Sequence, residues 1–127
     1  TAAEHVRTKE YFKFMLSENR QGKNLPVVVC THHAPSKLST HPHYARDYIM
    51  NGAYSSDLSE FILDNPEIKL WTCGHTHHSH RYYIGDTLVA CNPRGYYGHE
   101  TCAFDFKVKT IDLNSMPEKF DGVQYDW

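Results

Sequence analysis

The chain has 127 residues, 40% hydrophobic and 22% charged, which suits one domain with a single buried core and is too short for two. With 13 basic against 15 acidic side chains, the formal net charge of −2 excludes non-specific nucleic-acid binding through a cationic surface. No apolar run approaches the roughly 18–20 residues of a membrane span, and no signal-peptide pattern opens the sequence.

The first methionine is Met15, so the sequence reads as part of a longer polypeptide whose beginning has been removed. Residues 2–20 predict a helix, with Val6, Tyr11, Phe14, Met15 and Glu18 recurring near a 3.6-residue period and Gly22 as its stop. Val27 to Cys30 is a continuous apolar run, the pattern of a strand buried on both faces. Residues 31–55 show no period and carry Pro35, Pro42 and Gly52, which predicts a long functional loop. Asp57-Leu58-Ser59-Glu60 has the form of a capping box opening a helix to about Asn65, which Pro66 ends.

A second buried strand follows at Ile68–Cys73. A hairpin is expected with arms Arg81–Ile84 and Thr87–Cys91 around Gly85-Asp86. The alternation over Cys102–Val108 predicts one more strand, and the tail after Asn114 is polar. Helices interleaved with strands argue for an α/β layered domain. Cys30, Cys73, Cys91 and Cys102 form no C-x-x-C pair, and apolar sequence surrounds the first three. They read as buried free thiols of a reducing compartment, hence a cytoplasmic protein.

Histidine is the outlier. Ten are present, and eight fall between His32 and His80. Thr31-His32-His33-Ala34-Pro35 follows the first buried strand, and Gly74-His75-Thr76-His77-His78-Ser79-His80 follows the second. Loops beyond the carboxyl ends of strands are where α/β sheets bind ligands. Two such strands side by side bring both groups to one rim. Neutral imidazole is the commonest nitrogen ligand for manganese, iron, zinc and nickel, and Gly74 is expected to supply the sharp turn.

The stretches VVVCTHHAPS, WTCGHTHH and CNPRGYYGHE, in this order, resemble the C-terminal half of the calcineurin-like metallophosphoesterases over residues 25–106. The resemblance implies part of a two-sheet β-sandwich flanked by helices. It also implies a phosphomono- or phosphodiester hydrolase in which two divalent metal ions bind phosphate oxygens and activate hydroxide. Carried over by position, it makes His32 and His75 ligands of one ion and His77 a ligand of the other. His33, Asn92 and Arg94 are candidates to support the site, Arg94 because a guanidinium matches phosphate bidentately.

The family's N-terminal motifs D-x-H, G-D-x-x-D and G-N-H-[D/E] do not occur in this sequence. The expected partner is therefore the carboxylate-bearing N-terminal half, from the same parent chain or a second polypeptide, and the fragment alone is expected to be inactive. Half a sandwich also leaves an apolar face and sheet edges uncovered, which predicts association of the isolated chain. His78, His80, His41 and His43 read as solvated loop residues, His5 as a surface residue of the first helix, and Tyr96 and Tyr97 as packing.

Two other readings compete. His75-Thr76-His77-His78-Ser79-His80 approaches the H-x-H-x-D-H motif of metallo-β-lactamase-like hydrolases, but Ser79 stands where that motif needs Asp. A non-catalytic metal-binding or interaction module would keep the histidines without hydrolysis. A barrel amidohydrolase is excluded by length, since about 250 residues are typical.

Overall fold

The computed structural model describes residues 2–40, 42, 57–99 and 101–127, the side chains of Thr101 and Cys102 excepted. Its elements are α1 (Ala2–Gln21), β1 (Val27–Cys30), a short 3-10 turn (Lys37–Ser39), α2 (Ser59–Leu63), β2 (Ile68–Cys73), β3 (His80–Ile84), β4 (Thr87–Cys91), α3 (Thr101–Phe104) and β5 (Gln124–Tyr125). The strands form one five-stranded sheet in the order β1-β2-β4-β3-β5, so the chain is α/β. β1, β2 and β4 run parallel, while β3 lies antiparallel to β4 and β5 antiparallel to β3. No helix among the described residues is long and apolar enough to cross a membrane.

The pleat sends alternate residues to opposite faces. On one face Ile68, Trp71, Cys73, Tyr82, Ile84, Val89 and Cys91 pack beneath Leu16 of α1 and Phe61 and Ile62 of α2. Leu70, Leu88 and Ala90 occupy the other face, under Ile111, Met116, Phe120 and Trp127 of the C-terminal tail. An irregularity lets Val27 face Ile68 while Val28 faces Leu70. Lys69 is thereby left over, and Ile68 and Leu70 reach opposite faces.

Several expectations are corrected. β1 is covered on one face only: Val27 and Val29 are half-buried, whereas Val28 and Cys30 are exposed, because the tail reaches only as far as β2. Cys30 is thus not the buried thiol expected, while Cys73 and Cys91 are buried and all three are free. The buried stripe of α1 is Lys9, Phe12, Leu16 and Asn19, and Val6, Tyr11, Phe14 and Met15 are exposed. Phe12 decides this, with ring centroids 6.5 Å from Phe61 and 6.0 Å from Trp71.

α1 ends at Gln21, directly before Gly22 as expected, while the left-handed conformation, at φ 50, falls on Asn24. The Asn19 side chain holds the following turn through both the N–H and the carbonyl of Leu25. At α2 no capping box forms: Leu58 occupies the cap, and Asp57 accepts a 3.3 Å hydrogen bond from the Ser59 N–H. The strand expected over Cys102–Val108 is absent. Thr101–Phe104 makes one helical turn, Phe104 and Val108 are exposed, and Gln124–Tyr125 pairs with β3 at the edge of the sheet. His41 and His43, with most of the long loop, lie outside the described residues.

Candidate metal centre

β1 and β2 are adjacent and parallel, with Cys30 opposite Thr72, so both histidine-bearing loops leave the same rim of the sheet. The ladder continues past the strand ends. Thr31 N–H donates to the Thr72 carbonyl at 2.9 Å and Gly74 N–H to the His32 carbonyl at 3.0 Å, fixing the two loops to each other. A further chain runs from the core: the Nε1–H of the fully buried Trp71 donates to Thr31 Oγ1 at 2.9 Å, and that hydroxyl donates to the His33 carbonyl at 2.7 Å. The dipeptide carrying the imidazoles is therefore anchored at both residues.

His32, His33 and His75 each offer a ring nitrogen, and these atoms lie within 4.8 Å of one another. His32 Nε2 and His75 Nδ1 are 3.0 Å apart. Two nitrogens about 2.0–2.1 Å from a tetrahedral zinc would stand roughly 3.3 Å from each other. The His32–His75 pair nearly has that spacing already, and the His33 nitrogen lies within 4.8 Å of both. Burial first, and then the nearby His33, His32 and His77, holds the His75 imidazole below its ordinary value of 6.5. It is kept in the neutral form that a metal requires.

Of the residues singled out from sequence, His32 and His75 come together as expected and His33 joins them as a direct member of the trio. His77 stands apart, its ring centroid 6.5 Å from that of His75 and 4.9 Å from that of Tyr96. The turn is also built otherwise than expected. Gly74 is not the residue with positive φ; His75 and His77 are, at φ 62 and 56. Histidine is among the non-glycine residues enriched in that conformation. Asn92 donates its amide to the Lys107 carbonyl at 2.8 Å, and Arg94 is exposed.

His80 is not a loop residue: it is fully buried at the start of β3, stacked 4.4 Å from the half-buried His78 and 5.9 Å from Tyr82. Cys73 and Cys91 face each other beneath the site in register on β2 and β4. The hydrogen bond to Cys91, then burial, pushes the Cys73 thiol far above its usual range, while the same hydrogen bond holds Cys91 below its own. Sequence reasoning missed the Trp71–Thr31–His33 link, for which the only signal was a Thr directly before the His pair.

No family model matches the chain, and no solved structure matches it. A protein of Acanthamoeba polyphaga mimivirus named Uncharacterized protein L509 is 32% identical over 98 residues, covering 72% of this chain and 33% of its own length. The chain spans about a third of the relative it matches.

Proposed function

We propose that the chain supplies the histidine ligands of a binuclear metal-dependent phosphohydrolase acting on phosphomono- or phosphodiesters. The observation that carries this reading is the group His32, His33 and His75, held at one sheet rim with its ring nitrogens within 4.8 Å. Three imidazoles suit manganese, iron, zinc or nickel. When bound, such ions supply Lewis acidity toward phosphoryl oxygens and lower the pKa of a coordinated water. The chain's own part is to bind and orient: Trp71 and Thr31 fix His33, the cross-strand bond to Gly74 fixes His32, and burial keeps His75 neutral. His77 is the ligand we assign to the second ion, and Asn92 and Arg94 are the candidates to orient substrate phosphate.

The group contains imidazoles and no carboxylate. A bridging carboxylate must therefore come from elsewhere, and we assign it to an N-terminal half that completes a two-sheet sandwich. The exposed side chains of Val28 and Cys30 on β1 mark where that half would continue the packing. The same lack of a carboxylate supports the second reading, a metal-binding module without hydrolysis.

Native mass spectrometry at neutral pH separates the two. Two metal ions together with an additional carboxylate-bearing polypeptide, and metal-dependent release of p-nitrophenol from p-nitrophenyl phosphate, are the outcome of the hydrolase reading. A bare chain with one ion, and no turnover once that half is added, would leave the binding module.

A further inference from the structure

A cavity of about 200 Å³ lies between the first turns of α1, the start of α2 and the loop after β1. His32 and His33 form one wall, so it opens directly onto two of the three clustered imidazoles. The floor is aromatic: Phe12 meets Trp71 edge-on at 6.0 Å and lies nearly parallel to Phe61 at 6.5 Å. Lys9 closes the far side. It is half-buried in an otherwise exposed stretch of α1, and its ammonium stands 6.0 Å from the centre of the Phe61 ring.

The volume is below the roughly 300–1,000 Å³ of pockets that enclose a whole drug-sized ligand. It accepts one ring or a short chain, not a nucleoside. Aromatic floor and overhanging cation together favour a flat ring, which stacks or meets edges with Phe12 and Phe61 and presents its π-face to Lys9. A short alkyl chain would gain area but neither of those contacts.

We propose that this cavity is the subsite for the organic group of the phosphoester, and that the group it takes is a single aromatic ring. The proposal rests on the phosphoester reading of the histidine trio for what lies next door, while the ring specificity comes from the cavity alone.

The test uses the zinc-loaded chain and three probes: phenyl phosphate, methyl phosphate and inorganic phosphate. Binding is followed by NMR at the Lys9 amide and at the Trp71 indole N–H. Phenyl phosphate is expected to bind at least about tenfold tighter than the other two. Thr8→Trp, at an exposed cavity-lining position of α1, fills the space from the rim and should bring the ratio of phenyl to inorganic phosphate affinity down to about one. Lys9→Met keeps the stem, removes the charge and should lower that ratio about threefold.

Equal affinities for the three probes, or a phenyl advantage that survives Thr8→Trp, would overturn the proposal. Failure of the metal reading looks different: phenyl phosphate would bind equally well after zinc is removed, yet still lose its advantage in Thr8→Trp. That result would leave the aromatic subsite standing and remove the phosphoester.

Discussion

Geometry adds His33 to the pair that the resemblance gives to one ion, whereas the resemblance gives His77 to the other, and substitution of each separates the two histidines. His33→Ala removes one of three nitrogens that lie within 4.8 Å, whereas His77→Ala removes a ring 6.5 Å from that of His75 and set against Tyr96. Structural zinc sites of four ligands bind with about 10–16 kcal/mol, or roughly 3 kcal/mol per ligand. Losing one ligand should therefore weaken binding about a hundredfold or more. At a free zinc concentration one hundred times the wild-type Kd, zinc stabilises the wild type by about 2.7 kcal/mol. A hundredfold weaker site at that concentration gains only about 0.4 kcal/mol. For a domain of this size these correspond to rises in Tm of about 10 °C and about 2 °C. Thermal unfolding with and without zinc should give the larger rise for wild type and His77→Ala and the smaller for His33→Ala. The reverse pattern, with His33→Ala behaving as wild type and His77→Ala losing the rise, would refute the trio.

Thr31→Val keeps the shape of the side chain but leaves the indole N–H of buried Trp71 without its acceptor and releases the His33 carbonyl. It should lower stability by about 1–3 kcal/mol and weaken zinc binding. An unchanged urea midpoint would show the link to be incidental. Ser39 and Tyr82, both fully buried, share a hydroxyl hydrogen bond of 2.7 Å that ties the 3-10 turn to β3. Tyr82→Phe and Ser39→Ala should each cost about 1–3 kcal/mol, and the double variant distinctly less than their sum; strict additivity would exclude the bond. The depressed value of His75 carries a sign for pH. Unfolded, His75 gains a proton as pH falls through 6.5, whereas folded it does so only at lower pH, so metal-free stability should fall as pH drops below 6.5. Urea midpoints in a chelator at pH 7.5 and 5.5 should drop less for His75→Ala than for wild type; an equal or larger drop would contradict the assignment.

β1, β2 and the β3–β4 hairpin were legible to within a residue, because apolar runs bounded by Pro and Gly-Asp depend on local sequence. The shared rim was legible too, since it follows from two parallel strands each ending in histidines. α1 was legible as a helix but not in its orientation. Both of its faces carry apolar residues, and the choice of Phe12 over Tyr11 and Phe14 is made by Phe61, distant in sequence. The tail was not legible, because Ile111, Met116, Phe120 and Trp127 cover the second face with no helical or strand period. Its two-residue strand β5 pairs with β3, and the strand expected at Cys102–Val108 is absent. At the site, a glycine in the motif drew attention to itself, while the left-handed conformations belong to His75 and His77. Sequence shows which residue tolerates positive φ, not which one is placed there.

The trio's chemistry follows from where its anchors stop. Hydrogen bonds hold the backbone of His32, the carbonyl of His33 and the strand leading to His75, all from the sheet side of the rim. An ion held by these three nitrogens alone would keep a coordination position for a further donor. In zinc proteins that position separates catalytic sites, which have three protein ligands and an exchangeable fourth position, from closed structural ones. A closed site would need a fourth donor, and among the described residues the His77 ring lies 6.5 Å from that of His75 and rests on Tyr96. His32 and His33 also border the aromatic cavity. A ligand bridging ion and cavity would thus have its anionic end at the further position and its ring over Phe12 and Phe61. Under the phosphohydrolase reading proposed above, turnover would depend on that further position rather than on the histidine count.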